Sequence, residues 1–145
     1  MELILWRHAD AEEGAPDLER KLTSKGRKQA ERVAEWLQER LPEHYRVLSS
    51  PAARAQQTAH ALQAQFDVVK VLAPGASVPA ILKAAGWPAG KGLVVVVGHQ
   101  PDLGRAAAYL VSGKDSPWPL KKAGLWWISN DKELLVRAVV SPGLL

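Results

Sequence analysis

The chain has 145 residues, 47% hydrophobic and 23% charged, with a formal net charge of +4 and no cysteine. Such a composition belongs to a globular chain able to bury a core of its own, and the lack of thiols excludes disulfides, thiolate nucleophiles and thiolate zinc sites. No apolar run approaches the roughly 20 residues of a membrane span and no leader pattern opens the chain, so a single soluble, cytoplasmic domain over 1–145 is expected.

Leu3 to Trp6 form a short apolar run that ends in Arg7, His8, Asp10 and Glu12, with Gly14 and Pro16 beyond. This pattern predicts a buried strand opening into a loop. In LTSKGRKQAERVAEWLQERL the apolar residues Ala30, Val33, Ala34, Leu37 and Leu41 fall on one helical face. Thr23 or Ser24 is the expected cap, and Pro42 closes the element. RVLSS reads as a second strand and PAARAQQTAHALQAQF as a helix capped by Ser50 with Pro51 at its first position. VVKVL predicts a third strand, SVPAILKAAG a short helix, and the β-branched run LVVVVGH a fully buried central strand. PDLGRAAAYLVSG predicts another helix, and AGLWWIS with ELLVRAVV an antiparallel hairpin across Asn130 and Asp131. Strands alternating with helices imply an α/β sandwich with a mostly parallel central sheet flanked by helices.

In a parallel sheet the ends of the first, second and central strands lie on one edge. Arg7, His8, Arg54 and His99 can therefore share a pocket despite their separation in sequence. Two guanidiniums and two imidazoles suit a dianion, because arginine forks match phosphate oxygens and a helix N-terminus adds backbone donors. A neutral imidazole held by a carbonyl through one nitrogen is also a competent nucleophile toward phosphorus.

The stretches LWRHADAE, SSPAARAQQTA and VVVVGHQPDL, in this order and with LTSKG at residues 22 to 26, resemble the histidine phosphatase superfamily. The form RHAxAE and the short chain are most similar to its SixA-type phosphohistidine phosphatases, and the resemblance runs from about Leu3 to Val111. It implies a compact three-layer, phosphoglycerate-mutase-like fold. It also implies His8 as nucleophile, Arg7 and Arg54 as phosphate ligands, His99 as the second histidine contacting the phosphoryl group, and Arg20 as a further basic residue near the site. Ala9 stands where the wider superfamily has glycine. Larger members carry a general-acid carboxylate before the second histidine, whereas the interval Ala55 to Gly98 holds one acid, Asp67, at the start of a strand. Asp10, Glu12 and Asp17 are the remaining candidates for a proton donor.

The expected activity is metal-independent hydrolysis of phosphohistidine on a protein or peptide, without a cofactor. A phosphomonoesterase for a small metabolite and a non-catalytic phosphate-recognition module are the alternatives. No His-x-x-x-His pair or compact carboxylate cluster suggests a metal, and neither nucleic acid nor membrane is an expected partner. The basic residues from Arg20 to Arg32 and Lys114 to Lys122 read mainly as solvated surface, as do His44 and His60. Trp126 and Trp127, adjacent on a strand, should pack on opposite faces. Trp118, in a Pro-flanked loop, reads equally as a loop anchor or as part of a binding surface.

Overall fold

The computed structural model describes residues 1–145. Six strands, β1 (Glu2–Arg7), β2 (Arg46–Ser49), β3 (Asp67–Val68), β4 (Leu93–Gly98), β5 (Leu125–Ser129) and β6 (Leu135–Val140), form one sheet in the order β3-β2-β4-β1-β5-β6. β3, β2, β4 and β1 are mutually parallel, β5 runs against β1, and β6 returns against β5 as the expected hairpin. β4 lies between β1 and β2 and is buried at every residue, as its β-branched run predicts.

Because alternate side chains leave a strand on opposite faces, β4 supplies both cores. Val95 and Val97 join Ile4 and Trp6 of β1 on one face, where α1 (Ser24–Gln38) and α2 (Ala53–His60) contribute Val33, Leu37, Ala55 and Ala59. Val94 and Val96 join Leu3 and Leu5 on the other, under Ile81 of α3 (Val78–Ala85) and Leu103 and Ala106 of α4 (Asp102–Ser112). Trp127 packs with the first cluster and Trp126 against the second, each ring serving its own face. Trp118 stacks at a tilt on Trp126, ring centroids 5.5 Å apart, which is the anchor role.

Two elements depart from the sequence reading. α2 begins at Ala53 rather than Pro51, because the backbone is still extended at Ala52 while Ser50 belongs to the sheet edge, its N–H bonding the Val97 carbonyl at 3.0 Å, and it ends at His60 instead of running on to Phe66. The Ser50 hydroxyl then accepts from the Ala52 N–H at 3.1 Å, making a turn before the helix instead of capping it. Of the expected strand VVKVL only Val68 lies in a strand, the two-residue β3, and Lys70–Leu72 form a 3-10 turn. Of that stretch Leu72 is buried and Val69 half-buried against the same core, while Val68, Lys70 and Val71 stay in solvent.

α1 starts as expected, Thr23 accepting from the Gly26 N–H at 2.9 Å. A side chain at Gly26 would overlap the Asp10 carbonyl, so the helix start can lie directly against the loop after β1. Asp10 completes this clamp: its carbonyl accepts from the Thr23 N–H at 3.1 Å and its carboxylate from the Thr23 hydroxyl at 2.7 Å.

Candidate active site

The C-terminal ends of β1, β2 and β4 place His8, Arg54 and His99 together. His8 continues β1 and is only 9% exposed, and its backbone is still sheet-bonded, its N–H to the Gly98 carbonyl at 3.0 Å and its carbonyl to the Ala123 N–H at 3.1 Å. Arg54 stands in the first turn of α2 at 4% exposure, and His99 follows β4 at 3%. Their rings and guanidinium meet: His8 and His99 centroids are 5.2 Å apart, and Arg54 lies 3.3 Å from one ring and 3.4 Å from the other.

Hydrogen bonds define the state of His8. Its Nδ1 lies 2.7 Å from the Ala9 carbonyl, which can only accept, so Nδ1 carries the proton. In the neutral ring Nε2 then holds a lone pair in the plane of the ring, facing Arg54 Nε at 3.3 Å. Burial above all, with added repulsion from Arg54, Arg7 and Arg20, pushes the His8 imidazolium down to about 4 against the opposing pull of the Ala9 carbonyl. His99 falls further, to about 3, through burial first and then the positive charges of His8 and Arg54. Both rings are therefore neutral at neutral pH in the unliganded pocket.

This arrangement carries a sign for stability. The ordinary histidine value is 6.5, so between there and the folded values the unfolded chain binds more protons and folding loses ground as pH falls. Asp10 and Asp17, both held below the ordinary 3.8, lose their contribution only in more acidic solution. Titration of the imidazole ring protons by NMR should show two histidines with midpoints near 4 and 3, and denaturant midpoints should decline as pH drops from 6.5. Four histidines all titrating near the ordinary value would contradict the buried pocket.

The remaining candidates divide. Arg7 donates through Nη1 to the Leu120 carbonyl at 2.7 Å, while its Nε is buried without a hydrogen-bond partner. Its charge acts on both rings. Arg20 reaches the periphery only, bonding the Glu12 carbonyl at 2.7 Å and the Asp17 carboxylate at 3.0 Å. Asp17 joins the site through Arg54, accepting at its carbonyl at 2.8 Å and at its carboxylate at 3.1 Å. Hydrogen bonds from Arg20 and then Arg54 hold the Asp17 carboxyl below its usual range. Asp10 is held low in the same way by Lys122 and Thr23, and Glu12 presents only its backbone to the cluster, its side chain being exposed. Asp67 sits exposed on β3, and His44 and His60 are exposed as expected. No group of three or more histidines, aspartates and glutamates gathers as metal ligands do.

Sequence reasoning missed several residues that build the pocket. Ser50 Oγ lies 2.7 Å from His99 Nε2. Thr58 accepts from the Ala9 N–H at 3.0 Å and donates to the Arg54 carbonyl at 2.8 Å, tying the loop after β1 to α2. Gln57 and Gln29 accept from the Leu22 and Asp10 N–H groups at 2.7 and 2.9 Å. Ser50, Gln57 and Thr58 all lie in SSPAARAQQTA, so the motif was the available signal, but their partners are residues distant in the chain.

A buried imidazole with a free lone pair, in contact with the Arg54 guanidinium and close to a second imidazole at the edge of a parallel sheet, has the chemistry suited to a phosphoryl group. The profile of the histidine phosphatase superfamily (branch 1) matches residues 3–75. A Haemophilus influenzae phosphohistidine phosphatase SixA homolog is 30% identical over 155 aligned positions, covering 94% of this chain and 94% of that one. The Escherichia coli phosphohistidine phosphatase SixA is 33% identical over 127, covering 81% and 78%. The solved structure of a protein histidine phosphatase SixA complexed with tungstate superposes with a TM-score of 0.86 at 27% identity, covering 99% of both chains. The chain belongs to the histidine phosphatase superfamily. It is a phosphatase, with SixA proteins among its relatives in both sequence and fold.

Proposed function

We propose that the protein hydrolyses phosphohistidine borne on a protein or peptide, without a metal, through phosphorylation of His8. The observation that carries this reading is the Nδ1 contact of His8 with the Ala9 carbonyl at 2.7 Å, which leaves Nε2 unprotonated beside Arg54. In the first step the Nε2 lone pair forms a bond to phosphorus while the bond from phosphorus to the substrate imidazole breaks. The leaving nitrogen keeps the electron pair and takes a proton from solvent. In the second step water attacks phosphorus, the bond to Nε2 breaks, the lone pair returns to His8, and inorganic phosphate departs with the water's proton passed to solvent.

Arg7, Arg54 and His99 balance the phosphoryl charge in this scheme, and the partnerless Arg7 Nε is a donor suited to a phosphoryl oxygen. Ser50 can donate to or accept from His99, so it can hold that ring in either protonation state as the phosphoryl group arrives.

The choice of phosphohistidine over an alkyl phosphate is supported by the state of the acids. Asp10 and Asp17 are held as carboxylates by cationic partners, and neither suits the role of protonating an alkoxide. General-acid assistance is worth typically 10²- to 10⁴-fold. An imidazole is a far better leaving group and does without it. The same state of the acids argues against the reading as a small-metabolite phosphomonoesterase.

In a hydrolysis panel run with and without a chelator, phosphohistidine peptide and aryl phosphate should react alike in both conditions. Sugar phosphates should be slower by about 10²-fold or more. An alkyl phosphate turned over as fast as phosphohistidine, with D10N, E12Q or D17N abolishing only the alkyl reaction, would replace this reading with the small-metabolite one.

A further inference from the structure

Two grooves of about 320 and 570 Å³ meet along α1 and share Gln29 and Pro142 in their walls. The first is lined by Lys25, Lys28 and Arg32, which three- and four-residue spacing sets on one stripe of the helix. The second adds Lys121 and Lys122, just ahead of β5, and Arg7. No acidic side chain lines either groove, while Glu31 and Glu35 of the same helix line a different one, with His60. α1 is thus divided into a basic and an acidic side.

The cations of this groove are also unspent. Elsewhere on the surface Arg40, Arg105 and Arg137 each hold a carboxylate within 4.0 Å while the exposed Arg27, Arg46, Lys70 and Lys83 hold none, so what marks the groove is that its free cations stand together along one wall. Lys25, Lys28, Arg32 and Lys121 hold none, and only Lys122 is paired, with Asp10 at 2.6 Å. Like charges left unpaired in a row repel one another, and an acidic ligand laid along them relieves that repulsion. Neither groove presents an aromatic ring on which bases could stack, which separates it from a single-stranded nucleic-acid channel.

We infer that this groove docks an acidic segment of the partner protein, with aspartate and glutamate side chains beside the phosphorylated residue lying along Lys25, Lys28, Arg32 and Lys121. The inference rests on the phosphoprotein reading above. Its geometric basis is Arg7, which lines the groove and whose charge acts on both His8 and His99, so a chain held along the cations lies on the side of the site that Arg7 occupies. Docking of this kind raises the encounter rate, lowers KM for acid-flanked substrates, and is screened beyond about 10 Å at 0.1 M salt.

The test measures binding of an unphosphorylated, glutamate-rich peptide with a central histidine by fluorescence anisotropy at low salt. The wild-type chain is compared with the triple variant K25Q/K28Q/R32Q. All three side chains are exposed and glutamine is a good helix former, so the fold should survive. Lys121→Glu, in a loop, provides a second probe. The dissociation constant should rise about tenfold or more in the triple variant and several-fold in K121E, and added salt should weaken wild-type binding. The preference in kcat/KM for acid-flanked over alanine-flanked phosphohistidine peptide should fall with it.

Equal affinity in wild type and variants, or no wild-type binding at low salt, would overturn the proposal. So would tighter binding of a single-stranded RNA of matched charge that the same substitutions weaken. Because the binding peptide carries no phosphate, its result is independent of turnover: absent hydrolysis would overturn the phosphohistidine reading, and absent binding the docking groove.

Discussion

Replacing His8 with alanine is expected to lower kcat/KM toward phosphohistidine peptide by about 10⁴-fold or more, because in the proposed mechanism this residue supplies the electron pair that attacks phosphorus. No other group in the pocket is placed to substitute. His99 directs Nδ1 toward Arg54 and Nε2 toward Ser50, and its ring centre is 5.2 Å from that of His8. The fold should be indifferent to the change, since the sheet bonds at this position are backbone bonds to Gly98 and Ala123. Circular dichroism and phosphate binding should therefore stay close to wild type while turnover disappears. Activity within about tenfold of wild type would remove His8 from the role of nucleophile.

Arg54→Lys is expected to cost about 100-fold, or ~2.7 kcal/mol of transition-state stabilisation. The guanidinium is pinned on its outer edge by the carbonyl and carboxylate of Asp17, and its inner edge touches both imidazoles. When Nε2 of His8 bonds to phosphorus, the Arg54 Nε–H loses its acceptor on the ring and is freed for a phosphoryl oxygen. An interaction gained only as the reaction proceeds lowers the barrier rather than merely tightening substrate binding. Lysine offers a point charge and cannot span Asp17, His8 and His99 at once. Arg7→Lys should behave similarly, since its Nη1 is committed to the Leu120 carbonyl and its remaining donors require the fork. Steady-state kinetics decide the matter, and near-wild-type kcat in either variant would exclude that arginine from the transition state.

The parts of the fold that were legible in the sequence are those in which a local pattern and a buried surface agree. β4 is apolar and β-branched throughout and is buried throughout; α1 carries its apolar stripe at helical spacing, and Val33, Ala34 and Leu37 are buried accordingly. β3 was misread because VVKVL has the composition of a strand, but at the sheet edge only Leu72 is fully buried and Val69 partly so, and Val68 and Val71 find no core to enter. The start of α2 was misplaced because Ser50 and Pro51 satisfy the usual rules for a helix start, whereas the backbone is still extended at Ala52.

The candidate site was legible in outline for a topological reason: parallel strands deliver their ends to one edge, where Arg7 and His8 close β1, His99 follows β4, and Arg54 stands in the helix that follows β2. The pairings within it were not. Ser50 with His99 and Asp17 with Arg54 link residues 49 and 37 positions apart, and no local pattern encodes such contacts. Asp17 shows the consequence, since a carboxylate considered as a proton donor turns out to be bound by two guanidiniums.

The central claim is a covalent phosphorus–nitrogen bond on His8, and the most direct measurement is to trap it. Brief reaction with a substrate carrying labelled phosphorus, followed by denaturation and peptide mapping, should leave label on the peptide containing His8. The label should be lost in acid and retained in alkali, because a phosphorus–nitrogen bond cleaves once the nitrogen is protonated, and it should be absent from His8→Ala. Label recovered on a serine or on His99, or turnover that leaves no label at any quench time, would contradict the account.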